Sequence, residues 1–72
     1  MNNRLSQRET EIVQLLTQGK GNKEIAVCLG LTEGTVKGYL STIFQKLHLD
    51  SRLKVALWAA GHEELFYGSL QG

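Results

Sequence analysis

The residues able to do chemistry are few, and their spacing points away from catalysis. One cysteine, Cys28, and two histidines, His48 and His62, cannot furnish a four-ligand zinc centre, and a single cysteine forms no internal disulfide. No nucleophile is spaced with a base, no carboxylates are paired, and no metal ligands cluster, so an enzyme is the least favoured reading and no cofactor is expected. Gly19-Lys20-Gly21 is not a nucleotide-phosphate loop, since no strand precedes it and the Walker spacing is absent. What remains is a set of cationic and small polar groups. Between residues 20 and 46 four lysines (Lys20, Lys23, Lys37, Lys46) stand against two acids (Glu24, Glu33), so a chain of net charge +1 gathers positive charge in one stretch. Such a local excess suits contact with a polyanion, although the overall charge alone does not favour one.

These groups need a scaffold, and the punctuation of the sequence supplies one. The chain has no proline, repeat or low-complexity stretch, and no segment alternates with period two, so helices divided by glycines and capping residues are expected. Ser6 and Glu9 have capping-box spacing, predicting helix one over about residues 7–18, with Gly19 as a left-handed stop and Ile12, Leu15 and Leu16 as its core face. Asn22 is expected to cap a short helix over about 23–29, with Ile25, Ala26 and Leu29 buried and Gly30 ending it. Thr32 caps a third helix over about 33–47, and Asp50 or Ser51 a fourth over about 52–60, stopped by Gly61. The fold class is therefore all-α: a four-helix bundle in which helices two and three, joined by a short glycine-containing turn, form a helix-turn-helix.

Length and composition agree with one small folded unit. At 72 residues, 42 % hydrophobic and 21 % charged, the chain is too apolar for disorder and too short for two domains. Residues 1–72 are read as a single domain with a core over about 5–61 and a tail from 62 to 72 that carries no assignment. The longest apolar run, residues 55–60, is far short of the roughly 20 residues that span a bilayer, and no apolar signal core follows the start. A cytoplasmic location without membrane contact is expected.

Turning helix three at about 100° per residue places Val36, Leu40, Ile43 and Leu47 inward and Gly34, Gly38, Ser41 and Gln45 outward, flanked by Lys37 and Thr42. Two glycines on an outer helix face each cost about 1 kcal/mol relative to alanine. A close approach by another surface, such as a DNA major groove, would account for them; drift on a solvated face is the plainer alternative. Lys20, Lys23, Asn22 and Thr35 lie at helix starts where phosphates are held without reading sequence. On helix four the expected inward face is Leu53, Ala56, Leu57 and Ala60, leaving Lys54, Val55, Trp58 and His62 opposite. That patch reads either as a homodimer surface or as the seat of the tail, with Leu65, Phe66, Tyr67 and Leu70 folded back over Trp58.

Taken together, Leu5-Ser6-Gln7-Arg8-Glu9, Gly19, Asn22-Lys23-Glu24-Ile25-Ala26, Leu29, Leu31, Thr35-Val36-Lys37, Ile43, Lys46-Leu47 and Arg52 closely resemble the LuxR-type (GerE-like) DNA-binding domain of bacterial transcription regulators. The resemblance covers about residues 5–61. It implies that helix three enters the major groove of double-stranded DNA and that helix four makes a homodimer contact on a two-fold site. Base-contacting positions then fall on Lys37, Gly38 and Ser41 with Glu33 nearby, backbone contacts on Asn22, Lys23, Thr35 and Lys46, and the dimer interface on Lys54, Val55 and Trp58. Gly38 and Ser41 stand where many members carry bulkier or basic side chains, and Tyr39 where a histidine is common. Glu9 and Arg52, both typical of the family, are expected to pair between helices one and four. Family members usually carry the domain behind a phosphoacceptor receiver or a small-molecule sensor, so an excised output domain is favoured over a stand-alone regulator, with RNA polymerase a further candidate partner. The competing readings are the promoter-contacting helix-turn-helix of a sigma factor and a helical protein-interaction module anchored by Val55 and Trp58.

Overall fold

The computed structural model of the chain describes residues 5–62 and places four helices there: α1 (Gln7–Thr17), α2 (Asn22–Leu29), α3 (Glu33–Leu47) and α4 (Arg52–Ala60). Each start has a local cause. The Ser6 hydroxyl accepts from the Glu9 amide at 3.1 Å, while the Glu9 carboxylate accepts from the Ser6 amide at 2.8 Å, completing the capping box. Thr32 and Ser51 cap α3 and α4 by accepting from the amides of Thr35 and Lys54. α2 begins one residue earlier than its sequence suggests: Gly21, not Asn22, is the cap residue, and the Gly21 amide donates to the Glu24 carboxylate. Asn22 thereby becomes the first helical residue, which frees its side chain for another partner.

The stops differ more. Gly19 (φ +86°) and Gly30 (φ +70°) take the left-handed conformation that lets the chain fold back on the preceding carbonyls, with Lys20 donating to Leu15 and Leu31 to Ala26. α3 ends the same way on a non-glycine, His48 (φ +57°), with the Leu49 amide donating to the Phe44 carbonyl at 3.0 Å. Gly61 caps α4 in an ordinary right-handed conformation.

α1 packs on α4 and α3, with a lighter contact to α2, and α2 packs on α3. The core is Ile12, Val13 and Leu16 of α1, Ile25 and Ala26 of α2, Val36, Leu40, Ile43 and Leu47 of α3, and Val55 and Ala59 of α4. Contact with three neighbours widens the buried face of α1, which is why Val13 is enclosed beside Ile12, beyond the single stripe read from spacing.

α4 is rotated relative to expectation. Val55 is fully buried and Ala59 nearly so, whereas Leu53 and Leu57, expected inside, are 69 % and 64 % exposed. The segment is apolar around most of its circumference, so its own pattern sets the phase weakly. Arg52 sets it instead. Its guanidinium donates to the Lys20 carbonyl at 2.8 Å and to the Asn22 side chain, and Val55, Ala56 and Ala59 follow on the same face at three-, four- and seven-residue spacing. Val55 therefore belongs to the core rather than to a dimer surface. Trp58 is half-buried against that core, with the His62 ring stacked on it at 4.4 Å, so the open tryptophan patch is corrected too. The tail residues proposed to cover it lie outside the described residues.

The expected Glu9–Arg52 pair does not form. Glu9, buried at 4 % exposure, accepts instead from the Lys46 ammonium at 2.7 Å, joining α1 to the last turn of α3. Burial pushes the Glu9 carboxyl up, but the Lys46 ammonium and the Ser6 amide outweigh it and hold it below the usual carboxylate range. A group held low contributes stability that is complete above the ordinary glutamate value of about 4.3 and is lost as pH falls through its lower folded value. Asp50, held down by Lys54 on the surface, has the same sign. Glu9→Gln is expected to lower stability by about 1–2 kcal/mol near neutrality and to flatten the acid limb of the stability curve, read by urea melts from about pH 7 to about pH 3.

Candidate nucleic-acid interface

The turn between α2 and α3 is short because Gly30 reverses the chain within one residue and Thr32 restarts it as a cap. The apolar stripe Val36, Leu40, Ile43 and Leu47 fixes α3 to the core, so the opposite face is presented to solvent in a rigid orientation. Glu33, Lys37 and Ser41 follow one another at four-residue spacing along it, with Gly34 and Gly38 in the adjoining row, and all five are exposed. A methyl group added at Gly38 meets no atom within 4 Å, and one at Gly34 only the Thr32 hydroxyl at 3.9 Å. Nothing inside the fold requires either glycine, so the bare strip on α3 is a property of the surface alone.

That emptiness makes a direct test. Gly38→Ala is expected to stabilise the free domain by about 0.5–1 kcal/mol, the ordinary helix gain, and to raise its melting temperature by several degrees. A loss of stability would show an unrecognised packing role for Gly38.

Beside the strip lies a shallow cleft lined by Asn22, Lys37, Leu40, Ser41, Phe44 and Arg52. The cleft brings together three of the residues singled out in the sequence, Asn22 at the start of α2 with Lys37 and Ser41 on α3. Lys23 is exposed on the next position of α2, and Thr35 is exposed in the first turn of α3, where its hydroxyl oxygen accepts from the Thr32 hydroxyl at 3.0 Å. Lys46 stands apart: its ammonium is engaged by Glu9 at the far end of α3. Thr42, which flanks the strip, turns its hydroxyl back to the Gly38 carbonyl at 3.3 Å. Arg52 is the component sequence reasoning assigned to the wrong partner, because its position on α4 gives no signal that it reaches the α1–α2 turn. Its partners, thirty and thirty-two residues away, become visible only once α4 is seated.

The arrangement offers hydrogen-bond donors and positive charge around a convex helix face with little side-chain bulk, suited to an extended anionic surface rather than an enclosed small molecule. Among the described residues no group of histidine, cysteine and acidic side chains is placed to hold a metal ion, and no helix is long and apolar enough to cross a membrane.

Residues 3–59 match the family described as bacterial regulatory proteins, luxR family. The chain is 40 % identical over 65 residues to the nitrate/nitrite response regulator protein NarL of Escherichia coli K12, covering 90 % of this chain and 29 % of that protein. It is 42 % identical over 52 residues to the transcriptional regulatory protein DesR of Bacillus subtilis 168, covering 72 % of this chain and 26 % of the relative. To the two-component response regulator PprB of Pseudomonas aeruginosa it is 39 % identical over 54 residues, 75 % of this chain and 20 % of the relative. The chain thus spans less than a third of these relatives' length. With a family match across all four helices, and a helix-turn-helix built by α2 and α3, the chain belongs to the LuxR family of bacterial regulatory proteins.

Proposed function

We propose that this domain binds double-stranded DNA sequence-specifically, with α3 in the major groove, as the output part of a transcription regulator. The observation that carries the reading is the outer face of α3: exposed Lys37 and Ser41 beside two glycines whose missing side chains leave open space. A helix stripped to its backbone on one side approaches base edges closely, and Lys37 reaches a guanine or a neighbouring phosphate. Lys37, Gly38 and Ser41 face the bases, with Glu33 at the end of the same row. Asn22, Lys23 and Thr35 hold the phosphates on either side, aided by the first amides of α2 and α3. Lys46, engaged by Glu9, serves the fold in this arrangement.

Dimerisation on a two-fold site uses α4, through a stripe different from the one its sequence suggests. Leu53, Leu57 and Ala60 share one exposed side of α4 at four- and seven-residue spacing, with Lys54 beside them. Two copies related by a two-fold axis would cover both leucines, whereas either one alone leaves them in water. The names of the relatives, response regulators among them, support an output role behind a regulatory segment.

Selection of bound duplexes from a random pool by the purified domain tests the reading, since specific binding commonly exceeds non-specific binding by about 10³-fold or more. Enrichment of an inverted repeat with half-sites on one face of the duplex is expected; no enrichment by folded protein would overturn it. Gly38→Ala, stabilising in isolation, should weaken binding to the selected site.

A further inference from the structure

Arg52 occupies a position that helix electrostatics disfavours. It is the first residue of α4, where the helix dipole presents positive charge, and the first turn of α4 contains no acid to offset it. Its two terminal nitrogens are committed elsewhere: one donates to the Asn22 side chain, the other to the Lys20 carbonyl at 2.8 Å. A guanidinium has donors only, so the Asn22 atom that faces it is the carbonyl oxygen Oδ1. This contact fixes which way the amide is turned. With Oδ1 turned to Arg52, the Nδ2 donors have no hydrogen-bond partner among the described residues, and Asn22 lines the cleft that also holds Lys37 and Ser41. The cation on Oδ1 also polarises the amide and makes its N–H groups stronger donors.

We propose that Arg52 is a positioning residue for DNA binding, which acts by locking the Asn22 amide with its donor end toward the phosphate backbone. The proposal rests on the DNA-binding reading above and adds a role for α4 within it. The helix that carries the exposed leucines also sets the orientation of a donor on α2, so the seating of α4 and the grip on DNA are mechanically joined through one side chain. Lysine cannot replace the fork, because a single ammonium on a flexible stem does not hold two acceptors in fixed directions.

The test uses the whole 72-residue chain and the duplex it selects, with binding read by fluorescence anisotropy at one salt concentration for wild type, Arg52→Lys, Asn22→Ala and the double variant. Because a hydrogen bond to a charged group is at stake, each single variant is expected to bind about tenfold more weakly. If Arg52 acts through Asn22, the double variant binds no more weakly than Asn22→Ala. Asn22→Asp keeps an acceptor for Arg52 and loses the donor, so it should melt at or above the wild-type temperature and still bind at least about tenfold more weakly. A readout independent of affinity is the pair of Asn22 side-chain amide proton signals in a nitrogen-15 spectrum. They are expected to be resolved in the free wild type, to move on adding duplex, and to collapse in Arg52→Lys while the backbone spectrum stays folded. Losses that multiply to about a hundredfold in the double variant would show Arg52 touching DNA on its own account and overturn the proposal. Wild-type affinity in Arg52→Lys or Asn22→Asp would overturn it equally, leaving DNA binding intact as a function. A wild-type chain that binds no duplex would remove both.

Discussion

Val55→Asp is expected to leave no folded domain under conditions where the wild type is native. Val55 is fully buried, in the core that α4 shares with the other helices. Placing a carboxylate there removes the valine's apolar contacts and either desolvates a charge or forces it to take a proton, a penalty of several kcal/mol. A domain of this size has about 4–10 kcal/mol of stability in all. The informative comparison lies two residues on: Leu57→Asp puts the same side chain at a position 64 % exposed and should leave the helical circular dichroism and cooperative melt nearly unchanged. Its effect should fall on assembly instead, weakening cooperative binding to a two-half-site duplex while binding to an isolated half-site persists. The opposite pattern, with Leu57→Asp unfolded and Val55→Asp folded, would mean that α4 is seated on its other face.

That contrast marks where sequence reading loses its grip. The four helices and the starts of three of them are legible because their causes are local: Ser6 and Glu9 lie three residues apart, and Thr32 and Ser51 sit next to the helices they cap, whereas Gly21 displaces Asn22 as the cap of α2. The face of α3 is legible too, since its apolar residues recur along one side and leave glycine, serine and lysine on the other. α4 has no such contrast, with Leu53, Val55, Leu57 and Trp58 pointing in several directions, and the choice among them is made by Arg52 reaching across to the α1–α2 turn. The partner of Glu9 was hidden for a related reason: Arg52 and Lys46 are both cations distant in sequence, and only the packed angle between α1 and α3 brings Lys46 to 2.7 Å. His48 gave no warning of its left-handed turn, because glycine is the usual signal and here the Leu49 amide closing on Phe44 imposes the conformation. Within the candidate interface, helix period places Glu33, Lys37, Gly38 and Ser41 on the exposed face of α3, whereas the role of Arg52 rests on tertiary hydrogen bonds that leave no mark on its own segment.

Lys37→Ala is expected to have the largest effect on DNA binding of any single side-chain removal on α3. Lys37 is exposed on the outer face, between the two glycines in sequence and one turn from Ser41, and among the described residues no ion pair ties it to the protein. Of the lysines gathered between residues 20 and 46, it alone lies on the bare face of α3, since Lys20 and Lys23 lie at the edges of α2 and Lys46 is held by Glu9. Stability should stay within about 0.5 kcal/mol of wild type, because an exposed helical lysine and alanine differ little in helix propensity. Affinity for the selected duplex should fall by about 5- to 150-fold, corresponding to loss of one directed contact of about 1–3 kcal/mol. The manner of the loss separates two roles for the ammonium. If Lys37 reads a guanine, the variant relaxes specificity at one base pair of each half-site; if it holds a phosphate, binding weakens uniformly across sequences and the salt dependence becomes shallower by about one ion per half-site. Repeating the duplex selection with Lys37→Ala distinguishes these directly. An unchanged affinity from a folded variant would remove the outer face of α3 from the interface and return the two glycines to the status of an unconstrained surface.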